Sequence, residues 1–211
     1  APDRRETYRR WLRAIVAGVF RAWEEPIPVA PAWREARRLA AELAERFLEV
    51  DLEQMAGARV RATESFLSAP RAGALLRGKI DRISEEDGGF LVTDYKTGSV
   101  PARARIFGEN PASFQMPFYV ALMRAAGMPV RRAAYYAVKE ARYVWVTGGP
   151  RAMADDEAME QALRRLEQAV AGMAAMLEAG DFTVPRTCES CGRRGVCRAR
   201  FAGEAHGHPL R

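Results

Sequence analysis

With 211 residues, 48% of them hydrophobic, the chain is long enough to bury one sizeable core. No apolar run approaches the roughly 20 residues that a membrane-spanning helix needs, and there is no signal-peptide pattern, so a soluble, cytoplasmic protein is expected. The 33 basic residues against 27 acidic give +6, which suits a polyanionic partner but is too modest to select one; the arginine bias fits a GC-rich genome as well as phosphate binding.

The first element predicted is an amphipathic helix from about Arg4 to Trp23, with Trp11, Leu12, Ile15, Val16, Val19, Phe20 and Trp23 along one face. Pro26, Pro28 and Pro31 end it and form a stiff connector. A second helix follows, marked by Trp33, Ala36, Leu39, Ala40, Leu43 and Phe47 at helical period. Trp11, Trp23 and Trp33 read as core or helix-docking residues, with base stacking the alternative.

A three-stranded meander is predicted next, over Arg59 to Ser68, Leu75 to Ser84 and Phe90 to Lys96, its last strand entered through Asp87-Gly88-Gly89. The chemistry is concentrated here. Side chains alternate along a strand, so Asp94 and Lys96 share a face, Tyr95 points away, and hairpin pairing brings Asp81 beside them. Two aspartates and the backbone carbonyl of Tyr95 between Asp94 and Lys96 form a hard oxygen donor set of the kind that Mg²⁺ or Mn²⁺ takes, with solvent completing an octahedron. Lys96 is then placed to orient a water and to offset charge on a phosphoryl group. Alone, Asp-x-Lys reads as a surface ion pair; the preceding acidic strand and the Thr97-Gly98 release shift it toward a phosphodiesterase site. On the first strand Val60, Ala62, Glu64 and Phe66 alternate onto one side, which makes Glu64 an acid among apolar residues, either part of the site or salt-bridged to an arginine.

The segment Ser99 to Asn110 reads as a loop, basic at Arg103 and Arg105, either a phosphate-contacting flap or a solvated connection. Pro111-Ala112-Ser113 opens a helix with Phe114, Phe118 and Leu122 toward the core and Gln115 and Tyr119 at i and i+4, spaced to grip one ligand. Pro117 fits that helix only within its first turn. Val130 to Val138 and Arg142 to Thr147 read as a hairpin that extends the sheet, with Tyr135 and Tyr136 on opposite faces. A long helix runs from an Asp155 N-cap to Ala179, closed by Gly180, with Met159, Leu163, Leu166, Val170, Met173 and Leu177 as its apolar stripe. After it, Cys188, Cys191 and Cys197 are spaced for a metal or cluster, zinc or iron–sulfur, rather than a disulfide; His206 and His208 follow in the tail.

Taken in order, Gly78-Lys79-Ile80-Asp81-Arg82, Asp94-Tyr95-Lys96-Thr97-Gly98, Gln115-x3-Tyr119 and the three cysteines resemble the motifs of the PD-(D/E)xK nucleases of the RecB and AddB type, over most of the chain. The resemblance implies an α/β fold with a restriction-endonuclease-like core, a mixed central β-sheet flanked by helices. It implies that Asp81 and Asp94 bind metal, that Lys96 is catalytic, that Gln115 and Tyr119 lie near the substrate backbone, and that Glu64 is a further candidate at the site. It also favours a [4Fe-4S] cluster on Cys188, Cys191 and Cys197, its fourth cysteine lying outside this chain. Two features of the family are missing: a histidine on a helix before the first strand, and an upstream cysteine. A fragment whose upstream portion held both explains this economically, and a degenerate homologue is the alternative.

The expected organisation is one nuclease domain over 1–211, made of N-terminal helices (1–56), the catalytic sheet and Gln115–Tyr119 helix (57–150), a long helix (151–180) and a cysteine-containing tail (181–211). The expected function is Mg²⁺- or Mn²⁺-dependent DNA hydrolysis in recombination or repair, as an exonuclease on single-stranded DNA delivered by a helicase domain or subunit. The alternative is a nuclease-fold module that binds DNA or docks a helicase without cutting. No phosphate-binding G-x-x-x-x-G-K-[ST] loop occurs, so a motor would lie elsewhere.

Overall fold

The structure is a computed structural model that describes residues 2–24 and 31–180. Two long helices, α1 (Pro2–Glu24) and α2 (Pro31–Gln54), lead into β1 (Arg59–Arg71), β2 (Ala74–Glu86) and β3 (Gly89–Lys96). A crossover through α3 (Arg103–Phe107) and α4 (Gln115–Ala125) reaches β4 (Val130–Ala137) and β5 (Arg142–Thr147), and α5 (Asp156–Glu178) follows. Backbone contacts divide the chain into Ala1–Gly172, which holds every strand, and Met173–Arg211, of which residues 173–180 are described and complete α5.

The five strands lie in the order β1-β2-β3-β4-β5, antiparallel except for the parallel β3–β4 pair. The predicted meander and hairpin are thus both present, joined into one mixed sheet. Gly88 at φ +82 and Gly89 at φ +155 make the β2–β3 turn in backbone conformations that side chains disfavour. Two cores follow from strand alternation. One gathers Ile83, Val92, Ala133, Tyr135 and Val146 against Met116, Val120 and Met123 of α4 and Met159, Leu163 and Leu166 of α5. The other sets Leu91, Ala134, Tyr136, Tyr143 and Trp145 against Phe47 and Val50 of α2 and Met55 just beyond it. Each fully buried Leu or Ile of this kind contributes about 1.5–3 kcal/mol, which fixes helices to both faces of the sheet.

Several local expectations are corrected. The α1 stripe is only partly used: Trp11 is 56% exposed, and Ile15 and Val19 are also exposed, because α1 packs chiefly on α2. Trp33 does dock, against the Phe20 ring at 5.0 Å. The segment Ser99 to Asn110 contains α3, anchored by buried Ile106. The helix after it begins at Gln115 rather than at Pro111, so Pro117 falls in the first turn; the first helical bond is Phe118 N–H to Phe114 O at 2.8 Å, and the proline removes none. Asp155 caps α5 as expected, its Oδ1 accepting from Ala158 N–H at 2.9 Å. The Pro26–Pro28 connector, the Trp23 side chain, Cys188, Cys191, Cys197, His206 and His208 lie outside the described residues.

Candidate active site

The β2–β3 ladder runs from Glu86–Gly89 to Arg82–Thr93 and ends there. Past its end, the Tyr95 N–H donates to Asp81 Oδ2 at 2.9 Å, so the Asp81 carboxylate occupies the place of the next ladder acceptor. On the other edge of β3, the Lys96 carbonyl accepts from Val138 N–H at 2.9 Å. Carbonyls alternate along a strand, so the Tyr95 carbonyl is directed to the β2 side, where the ladder has ended and Asp81 lies.

Asp94 and Lys96 extend from the opposite face to Tyr95, toward α4. Asp94 is 2% exposed. Its Oδ1 accepts from Gln115 Nε2 at 2.7 Å, and its Oδ2 lies 2.7 Å from the Lys96 ammonium in Coulombic contact, without an aligned hydrogen bond. Burial raises the Asp94 pKa; Lys96 works against that shift, and the charge of Asp81 adds to it. Lys96 Nζ donates to Gln115 Oε1 at 2.6 Å and stands 5.3 Å from the centre of the Tyr135 ring. Gln115 therefore bridges the acid and the base through the two ends of one amide, and it also donates to the Tyr119 hydroxyl at 3.1 Å. The Tyr119 pKa is raised, first by burial, then by the charges of Asp94, Asp81 and Glu64, with Gln115 opposing.

What brings α4 close enough for these contacts is Gly78. A Cβ at this position would lie 2.6 Å from Phe118 Cε1 and 2.9 Å from Leu122 Cδ1. The first glycine of the β2 motif is thus a clearance for α4 rather than a turn.

Glu64 departs from its expected setting. It takes φ +52, directly opposite the bend at Asp81, and neither residue belongs to the β1–β2 ladder, which passes from Thr63–Arg82 to Ser65–Ile80. Its side chain is 61% exposed and ion-paired to Lys79; of the residues expected to share its side, Val60 and Phe66 are exposed too and Ala62 alone packs on the core, so the anticipated apolar side does not form around it. Of the loop arginines, Arg103 donates to the Met153 carbonyl at 2.6 Å, and Arg105 is exposed.

Behind the site lies a network that short-range pattern could not show. Arg82, beside Asp81, donates to both Asp51 oxygens at 2.6 and 3.2 Å and to Ser84 Oγ at 3.0 Å, and the Tyr143 hydroxyl donates to Asp51 Oδ1 at 2.6 Å. Burial opposes the Arg82 charge, but the Asp51 carboxylate and the Tyr95 hydroxyl outweigh it and hold the guanidinium above its ordinary pKa. The Tyr95 ring stacks edge-on to Phe47 and Tyr136 at 5.7 and 6.0 Å. Asp51 carried no motif; its one sequence signal was an acid in the last turns of an amphipathic helix.

A sequence model of the PD-(D/E)XK nuclease superfamily matches residues 1–198. The chain belongs to this superfamily. Its mixed sheet between helices is the restriction-endonuclease-like core expected of a PD-(D/E)XK protein. No curated protein sequence matches it significantly. Among solved structures it is similar to a candidate exonuclease from Eubacterium rectale, at 13% identity and a TM-score of 0.46 over 89% of this chain and 74% of the other. It is also similar to SSO0001, at 17% identity and a TM-score of 0.31 over 79% and 78%.

PD-(D/E)XK nucleases use divalent metals in general. The residues here fit one: the carboxylates of Asp81 and Asp94 and the Tyr95 carbonyl are hard oxygen donors, leaving the remaining positions to water. Among the described residues no third acid, histidine or cysteine joins them. A cleft of about 710 Å³ at the far end of the sheet holds none of the site residues, and its Arg124 and Arg132 are already paired with Glu160 and Glu86.

Proposed function

We propose that the chain hydrolyses DNA phosphodiester bonds with Mg²⁺ or Mn²⁺, acting as an exonuclease on single-stranded DNA in recombination or repair. The observation that carries this reading is the meeting of Asp81, Asp94, Lys96 and Gln115 at the ends of β2 and β3 and the start of α4. A bound cation would supply Lewis-acid activation of water and neutralise charge on the phosphoryl group. Asp81 and Asp94 would hold it, with the Tyr95 carbonyl. Lys96, held by Asp94 and by the Gln115 carbonyl oxygen, donates hydrogen bonds to the attacking water or to a phosphoryl oxygen. Gln115 holds both groups in place before substrate arrives, so little reorganisation is needed at the moment of reaction. Tyr119, largely buried, supports Gln115 through its hydroxyl near the substrate backbone.

The test is cleavage of labelled single-stranded DNA by the whole chain in Mn²⁺, Mg²⁺ or EDTA, with Lys96→Ala alongside. Cutting that needs metal and Lys96 supports the reading. A chain that binds the strand without cutting it in either metal is instead a nuclease-fold binding module. The helicase partner and the [4Fe-4S] cluster on Cys188, Cys191 and Cys197 belong to the same proposal; iron and sulfide analysis of anaerobically purified protein tests the cluster.

A further inference from the structure

The β1–β2 ribbon continues beyond the site, away from β3. In its register Leu67 faces Gly78 and Ala69 faces Leu76, and this side meets α4 and the core. The other side pairs Phe66 with Lys79, Ser68 with Arg77 and Pro70 with Leu75. It is open: Phe66 is 61% and Leu75 71% exposed. The Arg77 guanidinium lies 5.1 Å and the Lys79 ammonium 5.9 Å from the Phe66 ring centre. Among the described residues Arg77 has no carboxylate partner, whereas Lys79 is paired with Glu64.

We propose that this outer face, centred on Phe66, Arg77 and Lys79, is the track along which single-stranded DNA is led to Asp81, where it crosses the edge of β2 left unpaired past the end of the β2–β3 ladder to reach Asp94 on the α4 face. The proposal deepens the nuclease reading and rests on it. Asp81 and Glu64 stand opposite each other at the foot of the ribbon, so the approach of a polyanion there requires cations beside them. Lys79 and Arg77 stand two and four residues before Asp81 on the same strand, about 6.6 and 13 Å away at strand rise. An exposed ring between cations is the surface that unpaired bases use, through stacking on a π-face and contact of phosphate with the charges. A duplex has its bases already stacked and offers the ring nothing.

The test compares wild type, Phe66→Ala, Arg77→Ala and, as a baseline, Arg131→Ala at the opposite end of the sheet. It measures kcat and KM on single-stranded oligonucleotides of increasing length, and anisotropy of the same oligonucleotides in EDTA. Phe66→Ala is expected to raise KM on long strands about tenfold, the size of one lost base–ring stack, with the loss shrinking as the strand shortens. Arg77→Ala is expected to flatten the log–log salt dependence of binding by about 0.7, one phosphate contact on a single strand. KM and binding unchanged from the Arg131→Ala baseline would overturn the track. So would a fall in kcat alone at every length, or equal losses on duplex. If wild type cuts nothing, the nuclease reading fails, while the anisotropy series in EDTA still decides the ribbon.

Discussion

The two faces of β3 at its site end make an instructive pair. On one, Asp94 and Lys96 are joined through Gln115, yet Asp94 Oδ2 has only an unaligned ammonium for company. On the other, Tyr95 lies in an aromatic cluster beside Arg82, whose guanidinium is met by both Asp51 oxygens and by Ser84. Both carry charge away from water. The rear pair has its hydrogen bonds made by protein groups and is clad in rings, which is how a buried pair is held for structure. The front one ties Asp94 to an ammonium and an amide, partners that a cation and a substrate can exchange for.

Substitutions can break this contrast, the largest effects first. Lys96→Ala is expected to lower kcat by about 10²–10³-fold, the scale of losing a transition-state charge partner, and also to lower stability because it leaves Asp94 without its cation; an unchanged kcat would show the front to be structural. Asp51→Ala leaves Arg82 buried and unpaired and is expected to cost about 3–5 kcal/mol in urea unfolding. The pair Asp51→Leu with Arg82→Met should recover most of that stability, and any kcat deficit that persists in it measures how far Arg82 steadies Asp81. Gln115→Ala is expected to reduce kcat about 10²-fold, since Asp94 and Lys96 lose their common clamp, while Gln115→Glu, which turns a donor to Asp94 into a like charge, should do no better. Tyr119→Phe removes one acceptor of the Gln115 amide and is expected to cost about fivefold, near 1 kcal/mol, read in KM rather than kcat.

The front face was legible in sequence because its information is local. Asp94 and Lys96 are two apart on a strand, Gln115 and Tyr119 four apart on a helix, and alternation or helical period alone puts each pair together. The sheet pairing that adds Asp81 follows from a short turn with two glycines. The rear was illegible for the opposite reason. Asp51 and Arg82 come from a helix and a strand separated by the whole of β1, and no spacing rule joins them. Glu64 was misplaced because its positive φ disturbs the alternation of faces within β1, which a two-residue period takes to be regular. The helix α3 has five residues and no side-chain cap, so nothing in Arg103–Phe107 announced it. Trp11 looked like core because periodicity reports a stripe and not whether a partner covers it.

The slot over Gly78 has a consequence for how this chain can change in length. Gln115 is located by Phe118 and Leu122 lying against that slot, not by the course of residues 97–102 that leave β3. Doubling such a loop costs only about 0.6 kcal/mol in closure entropy, so the exposed Gly98–Ser99 can accept an insertion, a tag or a new recognition loop while Val100 stays packed on the core. A single methyl group at position 78 cannot be absorbed so cheaply. The molecule tolerates many atoms in one place and almost none in another, and the place of least tolerance is where the helix that carries Gln115 is gauged against the strand that carries Asp81.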